Sequence, residues 1–126
     1  MPEPDRIFHL AIPCRDVAEA RRFYVEVLGC REARSYADRV TLDFWGVQLV
    51  CHVAPDRLDG QPTMYPRHFG FTMRDEAEFL ALRDRLRAHG APFFRNIFIR
   101  FEGRRERHRA FFVRDPSNNL IEFKHY

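Results

Sequence analysis

The sequence predicts an α+β fold built from two βαβββ modules whose strands curve into a partly closed mixed β-sheet barrel, one domain over residues 1–126. Two observations predict it. The chain reads HLAIPCRDVAE from His9 and HFGFTMRDEAE from His68, the same pattern at an offset of 68 − 9 = 59 residues. Each copy also runs from an apolar, strand-like stretch into a helix-start signal and then into three short β-leaning runs. One such module leaves an open sheet with poor cover. Two side by side can share a barrel whose mouth is a natural ligand site.

The first module covers about residues 5–53. Residues 7–12 are apolar and read as a strand. Asp16 stands three residues before Glu19, as in a capping box. Val17, Ala20, Phe23, Tyr24, Val27 and Leu28 follow at helical spacing, and Gly29 stops the helix. Strand-like runs come next at 31–36, 39–45 and 47–53, with Gly46 at the turn between the last two. Residues 54–66 hold three prolines and a glycine and read as a linker. In the second module, residues 67–73 form a strand and Asp75 with Glu78 repeats the cap. Phe79, Leu82 and Leu86 supply the helix stripe, and Gly90 ends it. Strands follow at 93–101, 108–114 and 119–125, the last two joined by the turn sequence DPSNN from Asp115.

Composition narrows the function. The chain has 126 residues, 45% of them hydrophobic, which suits a packed domain rather than a disordered one. Thirteen Phe residues imply either a well-filled interior or an apolar cavity. No run approaches the length of a membrane span, and the charged, proline-containing start is no secretory signal. The cysteines Cys14, Cys30 and Cys51 lack metal-binding spacing and read as reduced, buried thiols of a cytoplasmic protein. A net charge of +3 does not argue for nucleic acid. The basic run Arg100–Arg109 reads first as a solvated hairpin tip, and second as a rim that attracts an anionic small molecule.

The repeat singles out a metal constellation. A lone His on a strand is ordinarily a packed side chain, and a Glu near a terminus is ordinarily solvated. His9 and His68, however, hold equivalent places on the first strand of each module. Glu122 sits on the last strand, with Ile121 and Phe123 alternating to the other face. Matching VQL in the first module to IEF in the second places Gln48 at the equivalent of Glu122. Two imidazoles and a carboxylate suit Fe(II), Mn(II), Ni(II), Co(II) or Zn(II), with Gln48 as a neutral oxygen donor.

These motifs resemble a known family. His-x-x-Ile-x-x-x-Asp, then Phe23, Tyr24, Leu28 and Gly29, then DPSNN-x-IEF together resemble the vicinal oxygen chelate superfamily. It includes glyoxalase I, bleomycin- and fosfomycin-resistance proteins, methylmalonyl-CoA epimerase and the extradiol dioxygenases. The resemblance covers nearly the whole chain. The usual DPxGN turn appears as DPSNN, and Asn118 tolerates the left-handed conformation that glycine would take. The resemblance implies paired βαβββ modules, metal ligands at His9, His68 and Glu122, and a substrate chelating the metal through two neighbouring oxygens. Glyoxalase I typically has Glu where this chain has Gln48. The epimerase is similar in its His/Gln/His/Glu set, the dioxygenases ligate through His, His and Glu, and the drug-binding members lack the triad.

Strand alternation places Val50 and His52 on the face of Gln48, and Lys124 and Tyr126 on that of Glu122. His52 is a candidate base. Lys124 is a candidate to bind a substrate carboxylate or an enolate, and His108 and Tyr126 are further candidates for the catalytic set. His89 and His125 receive no role. The expectation is thus a metal-dependent, dioxygenase-like oxidoreductase favouring Fe(II). It would be a cytoplasmic homodimer acting on a small, anionic or aromatic molecule, without nucleic acid or membrane partners. The alternatives are an epimerase- or glyoxalase-like isomerase or lyase, and a non-catalytic resistance protein that sequesters its ligand.

Overall fold

A computed structural model describes residues 5–126. The chain divides into two units, Met1–Leu58 and Asp59–Tyr126, with the boundary inside the expected linker. The first unit runs β1 (His9–Cys14), α1 (Val17–Arg21), a π-helical turn (Arg22–Val27), β2 (Arg31–Ser35), β3 (Arg39–Phe44) and β4 (Val47–Val53). The second runs β5 (Phe69–Thr72), α2 (Glu76–Ala88), β6 (Phe93–Arg100), β7 (His108–Arg114) and β8 (Leu120–His125). Each is βαβββ, so the α+β expectation holds. The strands form two four-stranded sheets, ordered β1-β4-β3-β2 and β5-β8-β7-β6. In each sheet the first and last strands of the unit pair in parallel and the other neighbours pair antiparallel. Each sheet is open, so the expected barrel closure is no property of either one.

Local signals explain the helices. The Asp16 carboxylate accepts the Glu19 N–H at 2.9 Å, and Asp75 accepts the Ala77 N–H at 2.8 Å, so both repeated aspartates are N-caps. The first helix departs from the expected single α-helix. It widens after Arg21, where the Leu28 N–H reaches back five residues to the Phe23 carbonyl at 2.9 Å. The wide turn leaves Phe23, Tyr24 and Leu28 all buried. Gly29 then takes φ +95°, the left-handed stop its position requires.

Each helix covers one face of its sheet. In the first unit, Tyr24 and Leu28 share a core with Val40, Leu42, Leu49 and Cys51. In the second, Phe79 and Leu86 share one with Phe111, Val113, Ile121 and Phe123. Much of the phenylalanine therefore fills these interiors, and all three cysteines are buried.

Two strand starts differ from expectation. β1 begins at His9 instead of residue 7, because its partner β4 begins only at Val47 and the ladder ends where the Gln48 N–H meets the Phe8 carbonyl. Ile7 and Phe8 are left exposed, at 70% and 67%. β5 is shorter than residues 67–73, and His68 immediately precedes it.

The turn before β8 is fixed by one buried carboxylate. Asp115 accepts the Ser117 and Asn119 N–H groups, both at 2.8 Å, and the Asn119 side-chain amide at 2.8 Å. Asn118 takes φ +68°, as its substitution for glycine requires. Asp115→Ala should cost about 2–4 kcal/mol in urea unfolding, since two inward amides lose their acceptor. Removing the exposed cap with Asp75→Ala should cost about 1 kcal/mol. Equal losses would show that Asp115 acts only as an ordinary cap.

Candidate metal centre

The second unit brings His68 and Glu122 together. The His68 Nε2 stands 3.1 Å from a Glu122 carboxylate oxygen. The His68 Nδ1 donates to the Met64 carbonyl at 2.6 Å. That bond keeps a proton on Nδ1 and turns the Nε2 edge of the ring toward the carboxylate. Two electron-rich atoms at this distance are a stable arrangement only with a proton or a cation between them. Glu122 is buried, which raises the cost of leaving its charge uncompensated.

The surroundings fix both side chains. Gly70 is the register partner of Glu122 across the β5–β8 ladder. A Cβ on Gly70 would lie 1.6 Å from the Glu122 carbonyl oxygen, so the two strands meet where only glycine fits. The Tyr65 ring packs edge-on against His68 at 5.6 Å, and Phe112 does so at 5.3 Å. Arg100 from β6 donates to the Tyr65 hydroxyl and lies 4.9 Å over its ring. Met64 and Tyr65, which hold His68, belong to the segment read from sequence only as linker. Their contribution had no periodic signal to reveal it. A cleft of about 200 Å³ opens over β5 and β8, lined by His68, Gly70, Thr72, Glu122 and Lys124 among others.

The first unit holds the other predicted donors. His9 and Gln48 are register partners on β1 and β4 and project from the same face. Among the described residues nothing hydrogen-bonds the His9 ring. The match of Gln48 to Glu122 requires correction. Gly46, at φ +91°, and Asn118, at φ +68°, are the left-handed turn residues before β4 and β8. Counting four residues on from each aligns Val50 with Glu122 and Gln48 with Leu120. The ladders agree: two residues beyond His9 is Ala11, opposite Val50, and two beyond His68 is Gly70, opposite Glu122. The position in the first unit that corresponds to the carboxylate is therefore a valine.

The remaining candidates are spread out. His52 lies at the exposed end of β4, opposite Pro13 and Arg39. Lys124 is opposite Thr72, one alternation beyond Glu122. His108 and Tyr126 pack together with ring centroids 4.6 Å apart. Tyr126 is four residues beyond Glu122, roughly 13 Å along an extended strand, so this pair does not converge on His68. His108 is buried, with Nδ1 3.0 Å from the Glu106 carbonyl. His125 faces α2, against Phe79. In the basic run, Arg109 pairs with Glu76 at 2.6 Å, while Arg104, Arg105 and Arg107 sit in an exposed turn. On α1, Arg21 donates to Glu32 at 2.5 Å, and that bond raises the guanidinium above its ordinary value, away from these donors. Among the described residues no group of three or more His, Cys, Asp or Glu side chains gathers closely enough to hold a metal ion. The donors come as pairs.

Residues 6–123 match the Glyoxalase/Bleomycin resistance protein/Dioxygenase superfamily. The chain belongs to that superfamily. Among solved structures, it is similar to a glyoxalase/bleomycin resistance protein/dioxygenase from Alicyclobacillus acidocaldarius. The two are 55% identical, covering 100% of this chain and 95% of that one, with a TM-score of 0.94. A lactoylglutathione lyase from Agrobacterium tumefaciens shares the superfamily fold at 23% identity, covering 98% and 95%, with a TM-score of 0.72. The fosfomycin resistance protein FosX from Listeria monocytogenes shares it at 19%, covering 100% and 95%, with a TM-score of 0.71. No curated protein matches the chain. Among the described residues no helix is long and apolar enough to cross a membrane.

The glycine contact gives a direct test of how this superfamily member seats Glu122. Gly70→Ala should push β5 from β8, lower stability by about 1–3 kcal/mol and weaken divalent-metal binding. Thermal melting and metal titration read both. An unchanged melting point together with unchanged metal affinity would refute the close approach.

Proposed function

We propose that the chain is a divalent-metal enzyme, dioxygenase-like and favouring Fe(II), whose small substrate offers two neighbouring oxygens to the ion. The observation that carries this reading is the 3.1 Å approach of His68 Nε2 to Glu122, with Nδ1 committed to the Met64 carbonyl. A nitrogen and an oxygen about 3 Å apart fit two adjacent ligands of an ion bound at roughly 2.0–2.2 Å. On this proposal His9 supplies the second imidazole and Gln48 a neutral donor. Two imidazoles and one carboxylate are the donor set of non-haem Fe(II) oxygenases, and Mn(II), Co(II), Ni(II) and Zn(II) suit the same donors. Bound there, the ion supplies Lewis acidity to the chelated oxygens.

The chain's own residues do the rest. Met64 holds the His68 tautomer. Tyr65 and Phe112 pack edge-on against His68 and hold its ring in place. Val50, the residue of the first unit equivalent to Glu122, offers no base, which weighs against glyoxalase chemistry. An epimerase-like isomerase or lyase is the second reading. It is favoured by His52, which projects from the same face as His9 and Gln48 and can carry a proton. His108 and Tyr126 form a separate packed pair and are assigned no step. The reading includes a cytoplasmic homodimer, supported by the unoxidised cysteines and by the open edges β1, β2, β5 and β6.

Anaerobically purified protein should carry about one divalent ion per chain. His68→Ala and Glu122→Ala should each weaken metal binding by more than about a hundredfold, and Gln48→Ala by less than about tenfold. Protein that binds no ion, or variants that keep full affinity, would defeat the proposal. Oxygen uptake on adding catechols is expected. Stoichiometric metal without uptake favours the isomerase reading, and ligand binding that survives metal removal and His68→Ala favours sequestration.

A further inference from the structure

Lys124 is the only lysine in the chain; every other one of its 21 Lys and Arg residues is arginine. It lies on β8 two residues beyond Glu122 and lines the same cleft. Its register partner across the ladder is Thr72, exposed in that cleft at the end away from His68. On its other side the register partner is the buried Ala110, which carries no polar side chain to engage the ammonium. Among the described residues the ammonium has no ion pair or hydrogen bond, and it lies 5.7 Å from the centroid of the Tyr126 ring. Glu122 is drawn the other way, toward His68. The cleft therefore has a metal-type donor pair at one end. At the other it has an uncommitted cation beside a hydroxyl.

From this juxtaposition we infer that the substrate carries a carboxylate, bound by Lys124 and Thr72. The inference rests on the metal reading above for the other end of the molecule. Two residues of extended strand span roughly 7 Å, so the carboxylate stands about that far from the group held at Glu122. One ammonium and one hydroxyl match a carboxylate, whose charge is single. A phosphate dianion would call for a second cation or a cluster of amide donors, and no arginine lines this cleft.

The test uses 3,4-dihydroxybenzoate, which places a carboxylate across a ring from two neighbouring oxygens, and catechol, which lacks the carboxylate. Calorimetric titrations are run on the full chain, both zinc-loaded and metal-free, after zinc stoichiometry and circular dichroism have been matched between wild type and variants. Wild type should bind dihydroxybenzoate about tenfold more tightly than catechol. Lys124→Met should reduce that preference to within about twofold while leaving catechol affinity unchanged, and Thr72→Val should reduce it by a few-fold. Equal affinities in wild type, a preference that survives Lys124→Met, or no detectable dihydroxybenzoate binding would overturn the carboxylate anchor. The two readings fail separately. If zinc does not bind, the metal reading falls and the metal-free titrations still decide the anchor. If zinc binds and Lys124→Met changes nothing, the anchor falls alone.

Discussion

The parallel pairing of β5 with β8 brings the Gly70 backbone so close to Glu122 that no side chain fits between them. The candidate site in the second unit depends on that contact. It seats a buried carboxylate beside Phe112, its register partner on β7, where an unpaired charge is costly. His68 stands 3.1 Å from that carboxylate, and a series of contacts holds His68 there. The Met64 carbonyl fixes its ring nitrogen, Tyr65 packs against its face, Arg100 holds Tyr65, and Asn118 donates to the Asp59 carbonyl at 2.8 Å to pin the start of the same segment. The segment between the modules thus positions a ligand, and its prolines and turns serve that task.

The parts of this fold that were legible in the sequence are those fixed by local chemistry. Asp16 and Asp75 cap their helices as the spacing to Glu19 and Glu78 implies, and Gly29 and Gly90 turn the chain where a left-handed residue is needed. The π-helical widening at Arg22 was not legible, because it follows from burying Phe23, Tyr24 and Leu28 together against a sheet. The start of β1 was misplaced for a similar reason. Ile7 and Phe8 have strand-like composition, yet a strand needs a partner, and β4 starts too late to pair with them.

For the candidate site, the nearness of His68 to Glu122 was legible because repetition singled out one and the DPSNN turn the other. The error at Gln48 came from aligning apolar alternation, which repeats every two residues and so accepts a two-residue slip without penalty. The better anchor is the last left-handed residue of each turn, Gly46 or Asn118, because a turn fixes register where alternation does not. Asp43 supports that choice. Its carboxylate accepts the Gly46 N–H at 2.7 Å, three residues before the turn glycine just as Asp115 stands three before Asn118. Met64 and Tyr65 gave no signal, since a carbonyl acceptor and a ring contact leave no periodicity.

That correction changes what the duplication means. Two copies of one module would present two imidazoles and two carboxylates at equivalent positions, enough to surround an ion with strong protein donors. Here the imidazole is retained in both copies, at His9 and His68, but the carboxylate only in the second, at Glu122; its counterpart is Val50. A chain that keeps three such donors leaves an ion more open positions than one that keeps four, and open positions are what substrate oxygens and a second reactant need. Val50 also removes a base from that side, so proton transfer there would have to come from a residue farther along, such as His52. The loss of one carboxylate therefore bears on both the ion's free positions and the available base, and both effects favour the dioxygenase-like reading over a glyoxalase-like one.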